Sequence, residues 1–331
     1  MSISKPIRIV AMAKYLPRQV SSTELEIKYK LPKNWSVENS GVEYRHQIST
    51  ENNGIMGAKA ADLALEKANM TLADIDMIIS AGATYDYPIP NQASVTKAEM
   101  KDGHKYHTPS IDIDSTCLSF VVALDLSSKI LDGKQYKNVL IISAETASKG
   151  LNISNWETLT LFGDAAVAAV ISFDKESSSE FIKGGHRTYS EGVYDTMIEG
   201  GGVRNFFSER PYDNEFYSFK MNGKKLLRMA KDKIPEFMEW FFSDIPYTMK
   251  STDVIIPHQA SKIGLMMFKK MFDLKDSQIK ETLLKYGNCI AASIPLTLCD
   301  SIENNEIKRG DLCFLSGTSA GFSIGGVLIR Y

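Results

Sequence analysis

The sequence lacks the features that mark membrane-spanning, secreted and nucleic-acid-binding proteins. Its formal net charge of −2 gives no bulk electrostatic basis for binding nucleic acid or an anionic membrane surface. No apolar run approaches the length of a membrane span, and the N-terminal residues lack the apolar segment of a signal peptide. These absences lead us to expect a cytoplasmic protein with no membrane span and no nucleic-acid partner.

Cysteine is also scarce, with 4 among 331 residues. Without a secretory signal, reduced thiols are expected rather than disulfides. The spacing shows no CxxC pair and no histidine-rich cluster, so we predict no metal site. Cys289, Cys299 and Cys313 are predicted to be core residues, and only Cys117 stands in a context that suggests chemistry.

What the chain does contain is an alternation of strand-like and helix-like segments, with 44% hydrophobic and 24% charged residues. This composition is ordinary for one or two globular domains, and the alternation favours an α/β sheet structure. The second half repeats the order of the first, so we predict two related halves, residues 1–173 and 174–331. The paired segments are 73–80 with 251–257, the helices after Cys117 and Asn288, 139–143 with 312–316, and 162–172 with 319–330.

The segment Asp112-Ile-Asp-Ser-Thr-Cys117-Leu-Ser-Phe120 reads as an extended stretch that turns at the cysteine and enters an apolar helix. A helix N-terminus favours the thiolate form of cysteine, because unpaired backbone N–H groups and the helix dipole stabilise negative charge. Cys117 is therefore a candidate nucleophile. Taken alone, a buried structural cysteine is the commoner interpretation.

Two later residues could act with this cysteine. His258 lies in Pro257-His-Gln-Ala260, and Asn288 follows Tyr286-Gly287 at the start of the helix that the repeat pairs with the one after Cys117. Separately, they could be a core histidine and a helix cap. Together with Cys117 they form a set suited to acyl transfer and carbon–carbon bond formation, and we expect the three side chains to converge in one narrow cavity.

Several motifs in this order resemble the thiolase superfamily, and within it the β-ketoacyl-acyl-carrier-protein synthase III group. They span essentially the whole chain. The resemblance implies a thiolase-like five-layer αβαβα fold of two pseudo-symmetric halves, a homodimer, and acyl thioesters of coenzyme A or acyl carrier protein as substrates, with no bound cofactor. The motifs are the Cys117 turn, Leu161-Phe-Gly-Asp164, Pro257-His-Gln-Ala260, Tyr286-Gly-Asn288, Ala291-Ala-Ser-Ile-Pro-Leu296 and Gly317-Thr-Ser-Ala-Gly-Phe322.

The resemblance also implies a role for each candidate. Cys117 would take the acyl group, and its backbone N–H together with that of Ala320 would form an oxyanion hole. His258 and Asn288 would donate hydrogen bonds to the enolate that forms when a malonyl thioester loses carbon dioxide. The product would be a β-ketoacyl thioester, in fatty-acid or polyketide-like metabolism.

Departures from the family pattern concern substrate binding. Trp35 matches a tryptophan that stacks on the adenine of coenzyme A, but Trp156 stands where an arginine is expected and Asn39 replaces another nearby arginine. Coenzyme A would then be held differently, or the donor would be a carrier protein. The residues predicted to bind substrate are Trp35, Trp156, Phe162 and Ser261, the last in place of a usual asparagine.

Basic residues suggest where an acidic carrier protein would dock. Arg228, Lys269 and Lys270 fall where the family places basic residues beside the substrate entrance. A solvated basic face is the alternative interpretation.

Three other functions compete with a decarboxylating condensing enzyme. One is an enzyme of secondary metabolism that transfers or joins acyl chains without decarboxylation, and another is a non-catalytic partner subunit. Hydroxymethylglutaryl-coenzyme A synthase is disfavoured, because that family places a glutamate after an Ala-Thr pair, whereas Tyr85 follows Ala83-Thr84 here.

Overall fold

The computed structural model describes residues 4–209 and 213–331. They form two main sheets with helices on both sides of each, and two small two-stranded sheets. The α-helices are α1 (Ser22–Tyr29), α2 (Trp35–Asn39), α3 (Asn53–Lys67), α4 (Gln92–Glu99), α5 (Ser119–Ile130), α6 (Trp156–Leu161), α7 (Gly223–Phe242), α8 (Lys262–Met271), α9 (Leu283–Tyr286) and α10 (Ser293–Glu303). The strands are β1 (Ile7–Tyr15), β2 (Arg18–Ser21), β3 (Tyr44–Gln47), β4 (Met77–Ala81), β5 (Ser110–Ile113), β6 (Asn138–Glu145), β7 (Ala165–Phe173), β8 (Glu180–Thr188), β9 (Thr196–Met197), β10 (Lys220–Met221), β11 (Val254–Pro257), β12 (Leu312–Ser319) and β13 (Ser323–Arg330).

The two main sheets repeat one strand order. The first has the order β1-β7-β6-β4-β5 and the second β11-β12-β13-β8, so β4, β6, β7 and β1 correspond to β11, β12, β13 and β8. Each sheet contains a parallel pair of corresponding strands, β4–β6 and β11–β12, followed on one side by antiparallel pairs. The first sheet also has β5, which is parallel to β4. The place of β5 is taken in the second sheet by a parallel bridge between Ile255 and Ile279. The predicted internal repeat is therefore present in the fold.

The helices make the other three layers. α5 and α10 lie between the sheets, where α5 contacts β6 and β13 and α10 contacts β7 and β11. α3 covers the outer face of the first sheet, packing on β1, β6 and β7, and α7 packs on β13 of the second. The result is the predicted five-layer αβαβα arrangement.

Apolar composition explains why the central strands form. Every residue of β6 is buried, and so is every residue of β7 except its last, as expected for strands covered on both faces. α3 approaches the sheet closely because its inner face carries alanine and glycine: an ideal Cβ on Gly57 would lie 3.2 Å from Ile142 Cγ2 of β6. Burial of these faces supplies the main stabilisation of the first half.

A short segment of charged residues and serines connects the two main sheets. β7 ends at Phe173 and β8 begins at Glu180, so residues 174–179 link the first sheet to the second. The division at 173/174 remains a proposal. Just before β10, Phe219 packs on the first half, where its N–H donates to the Gly150 carbonyl at 3.0 Å. Among the described helices, none has the length and apolar character to cross a membrane.

Candidate active site

Cys117 lies in a strained turn between β5 and α5. The turn begins with Thr116 at φ +49°, which costs free energy for a residue other than glycine. Two side chains close it: the Thr116 N–H donates to Asp114 Oδ1 at 2.8 Å, and the Ser115 N–H donates to Ser119 Oγ at 2.9 Å. A short 3₁₀ helix, Thr116–Leu118, then leads into α5. The sequence thus places the cysteine one turn before the helix proper.

Asn288 lies in a turn of the same design in the second half. Ile290 has φ +49°, its N–H donates to Asn288 Oδ1 at 2.9 Å, and the Cys289 N–H donates to Ser293 Oγ at 2.9 Å. Asn288 therefore corresponds to Asp114, and the counterpart of Cys117 is Ala291. The helices after Cys117 and Asn288 correspond as predicted, but Cys117 and Asn288 themselves lie three residues apart in the register of the repeat.

The environment of the Cys117 sulfur favours the thiol. The residue keeps some exposed surface, but burial of its sulfur, together with the negative charge of Glu145, raises its pKa to about 12. Hydrogen bonds from the backbone N–H groups of Ala320 and of Cys117 itself act in the opposite direction. The predicted thiolate was therefore wrong for the free protein, since desolvation outweighs the helix N-terminus. The Ala320 N–H nevertheless faces the sulfur, as an oxyanion-hole donor must.

His258 follows β11 and is held neutral. Its backbone N–H donates to the Ser316 carbonyl at 2.8 Å, and an ideal Cβ on Gly317 would lie only 2.5 Å from His258 Cβ. Only glycine leaves room for the histidine here. Burial lowers the pKa of His258 to about 4, so the imidazole is uncharged at neutral pH. Within residues 4–209 and 213–331, Nδ1 has no hydrogen-bond partner.

Backbone bonds on both sides fix the Asn288 carboxamide. The Asn288 N–H donates to the Leu161 carbonyl at 2.9 Å, and the Gly163 N–H donates to the Asn288 carbonyl at 3.0 Å. Its side-chain Nδ2 donates to the Ala260 carbonyl at 3.3 Å, which uses one of two protons. Two residues earlier, the Tyr286 hydroxyl donates to Asp300 Oδ1 at 2.8 Å and ties this segment to α10.

A continuous set of contacts connects the three predicted residues. Ala320, which follows β12, faces Cys117, and Gly317 of β12 packs on His258. Ala260 joins the His258 segment to Asn288. The two strained turns also contact one another directly. The three side chains therefore belong to one neighbourhood at the junction of the halves, and their catalytic roles stay predictions.

The sequence interpretation missed Glu145, the last residue of β6. It is fully buried and accepts hydrogen bonds from the Ala83 N–H at 2.9 Å, the Thr84 N–H at 3.1 Å and the Thr84 hydroxyl at 2.6 Å. Burial raises its pKa to about 8. A glutamate at the end of a mainly apolar, strand-like run was the available signal, because a buried carboxyl group requires partners.

The residues predicted to bind substrate are dispersed around this neighbourhood. Trp35 and Trp156 contact one another edge to face, with ring centroids 5.8 Å apart, so no slot for an adenine ring lies between them. Phe162 is buried and forms a β-bridge with Asn288. The Ser261 hydroxyl caps α8 by accepting the Gly264 N–H at 3.1 Å. Substrate contact by these four stays a prediction. Asn39 stands where the family pattern has an arginine, and its side-chain NH2 donates to the Trp35 carbonyl at 2.8 Å.

The predicted docking residues differ in how free their charges are. Arg228 on α7 and Lys270 on α8 are exposed, whereas Lys269 forms an ion pair with Asp276. The charge of Lys269 is thus partly neutralised. Exposed Lys224 and Lys231 extend the basic face of α7 on either side of Arg228.

The five-layer fold, with a cysteine, a histidine and an asparagine held at the junction of its halves, defines a condensing enzyme of the thiolase superfamily. Residues 111–190 match the family model of 3-oxoacyl-(acyl-carrier-protein) synthase III, and residues 243–331 match the model of its C-terminal region. The chain belongs to the β-ketoacyl-(acyl-carrier-protein) synthase III family and is an acyltransferase. The resemblance, the fold and the enzyme class predicted from the sequence are confirmed.

Individual relatives align along nearly the full length. The β-ketoacyl-(acyl-carrier-protein) synthase III of Rickettsia canadensis is 30% identical, with 98% of this chain and 99% of the relative covered. That of Vesicomyosocius okutanii is 29% identical, with 99% and 100% covered. The crystal structure of the Aquifex aeolicus enzyme superposes with a TM-score of 0.87 at 25% identity, covering 98% of this chain and 100% of that one.

Proposed function

We propose that this enzyme transfers an acyl group to Cys117 and joins it to a malonyl-type thioester with loss of carbon dioxide. The observation that carries the proposal is the linkage of a neutral histidine and an asparagine to the turn of the reactive cysteine. Two uncharged donors suit an enolate. In a cysteine hydrolase, by contrast, the asparagine would orient the histidine.

In the first half-reaction the Cys117 sulfur attacks the carbonyl carbon of the acyl thioester. The oxygen becomes negative and accepts hydrogen bonds from the N–H groups of Cys117 and Ala320. The carbon–sulfur bond of the donor then breaks, and the donor leaves as a free thiol that carries away the proton of Cys117. The protonated state of the resting cysteine is consistent with this balance.

In the second half-reaction the malonyl thioester loses its carboxylate as carbon dioxide. The electron pair forms an enolate, whose oxygen accepts hydrogen bonds from His258 and from the second proton of Asn288 Nδ2. The enolate carbon attacks the acyl-cysteine, giving a β-ketoacyl thioester and a Cys117 thiolate. With its raised pKa, that thiolate takes up a proton from water.

Mass spectrometry of the intact protein tests the first step, and release of labelled carbon dioxide from malonyl thioesters tests the second. We expect acyl thioesters to add one acyl mass to the protein, and malonyl thioesters to lose carbon dioxide. Acyl addition without decarboxylation would favour the non-decarboxylating acyl-joining enzyme. An absence of both reactions with any donor would favour the non-catalytic subunit.

We infer that the acyl and malonyl groups arrive on a carrier protein; the names of the relatives place the β-ketoacyl group on such a carrier in those proteins. The edge-to-face contact of Trp35 and Trp156 and the basic exposed face of α7 support this donor. In the same assays, carrier-bound thioesters should react faster than those of coenzyme A, and Arg228→Glu should slow only the carrier-bound ones.

We propose that the enzyme is a homodimer that pairs at β5. Within the described ranges β5 pairs only with β4, so its outer edge offers unpaired backbone groups, and Ile111 on this strand is 42% exposed. Light scattering should give about twice the 36.8 kDa chain mass, and Ile111→Lys should give a single-chain mass. A single-chain mass for the unaltered protein would contradict this proposal.

A further inference from the structure

Glu145 joins the two halves of the molecule at the back of the site. Its carboxylate accepts three hydrogen bonds from Ala83 and Thr84 of the first half, and the Ala291 N–H of the second half also donates to it. A carboxylate is an acceptor with sites for about four hydrogen bonds, so one buried group satisfies donors of two different segments. Neither half alone supplies this arrangement.

The internal repeat shows what position the carboxylate occupies. Ala291 is the counterpart of Cys117, and the eighth residue of β6, Glu145, is the counterpart of Ser319 in β12. In one turn, the N–H groups of Cys117 and of Ala320, which follows β12, face the reacting thioester oxygen of the proposed mechanism. In the other, the N–H of Ala291 faces Glu145 at the end of β6. The carboxyl group of Glu145 therefore provides a fixed hydrogen-bond acceptor in the duplicate of the oxyanion hole.

This duplicate site lies in the turn that carries Asn288. The Ile290 N–H is bound by the Asn288 side chain at 2.9 Å, and the next N–H along the chain, that of Ala291, is bound by Glu145. Ile290 adopts φ +49° between them, a conformation that persists only when neighbouring bonds impose it. Losing the acceptor for Ala291 would allow the turn to relax and carry the Asn288 carboxamide with it.

We propose that Glu145 is a positioning residue for the decarboxylation half-reaction, acting by holding the Asn288 turn in its strained form. The inference rests on the proposed function, because it assigns Asn288 to the enolate. In the proposed mechanism Glu145 contacts neither the acyl thioester nor the malonyl thioester.

The test compares Glu145→Gln with Asp76→Asn. Glutamine keeps the shape, but its NH2 group replaces an oxygen that accepts the N–H of Ala83 or of Thr84, so the side chain must shift and lose its contact with Ala291. Asp76 is the matched control: its carboxylate binds the N–H groups of Lys137 and Asn138, at 2.7 and 2.8 Å, at the opposite end of β6. Both half-reactions are measured for each protein, acylation by intact mass and decarboxylation by carbon dioxide release.

For Glu145→Gln we expect decarboxylation to fall by about 10- to 100-fold, the size of effect that misplacing a catalytic group produces. Acylation at pH 7 should change by less than about threefold, because Glu145, with a pKa of about 8, is already largely uncharged beside Cys117. Asp76→Asn should leave the ratio of the two rates unchanged. An equal fall in both rates would assign Glu145 a general structural role and overturn the proposal. If the glutamine variant does not fold, Glu145→Asp is judged by the same ratio. Aspartate keeps the carboxyl group but holds it one methylene farther from its partners. A wild-type protein that does not decarboxylate would refute the proposed function itself.

Discussion

Asn288→Ala and His258→Ala are each expected to lower malonyl decarboxylation by about 10²- to 10³-fold, while Cys117 is still acylated at close to the wild-type rate. Each variant removes one uncharged donor from the enolate oxygen and leaves the N–H groups of Cys117 and Ala320 in place. His258 donates without a charge because burial lowers its pKa to about 4. The two half-reactions should therefore separate.

The measurement uses the two assays described above, with stopped time points for acylation. Cys117→Ala serves as the blank, because it should show no acyl adduct. The double variant should lose little more than the worse single variant, since the two donors act on one oxygen. A variant that fails to acylate but still decarboxylates would show that the roles of the cysteine and of the other two residues have been assigned wrongly.

Much of the fold follows from the sequence, because the evidence for it is local and repeated. Runs such as 139–143 and 312–316 are too apolar to be half-exposed strands, and their order recurs in both halves. The order of the strands could not be predicted in this way, because β1 pairs with β7 and β8 with β13, which lie far apart along the chain. Cys117, His258 and Asn288 could be chosen for similar reasons, since each adjoins a turn next to an apolar element.

The electrostatics of the site could not be predicted in this way. The position of Cys117 before a helix predicts a thiolate. The pKa of the Cys117 thiol, however, depends on how many protein atoms surround the sulfur and on Glu145. Glu145 in turn depends on Ala83, Thr84 and Ala291, which lie far from it in the chain. Such long-range contacts carry no periodic pattern.

The register of the repeat was missed for a related reason. Asp114 and Asn288 correspond because each binds the N–H two residues on and each precedes a serine that closes the turn. The bonds of Asp114 and Asn288 are made by side chains that differ between the halves. Pairing the halves by the starts of their apolar helices sets Cys117 against Asn288, whereas the shared serines Ser119 and Ser293 give the correct register.

Gly287→Ala is expected to destabilise the protein by about 3 to 5 kcal/mol and to impair decarboxylation as well. Gly287 has φ +70°, and an ideal Cβ there would lie 2.4 Å from the Leu161 carbonyl oxygen, so the substitution adds a clash with backbone to conformational strain. The Asn288 N–H donates to that same carbonyl, so relief of the clash must displace Asn288.

Gly310→Ala separates the two causes. Gly310 also has a left-handed conformation, φ +97°, but no atom lies within 4 Å of its ideal Cβ, so only strain is added, worth about 1 to 2 kcal/mol. Urea unfolding gives the free energies, and the decarboxylation assay gives the functional effect. Equal losses of stability would mean that the Leu161 carbonyl yields without cost. A folded Gly287→Ala variant with normal decarboxylation would show that the enolate does not depend on where this turn holds Asn288.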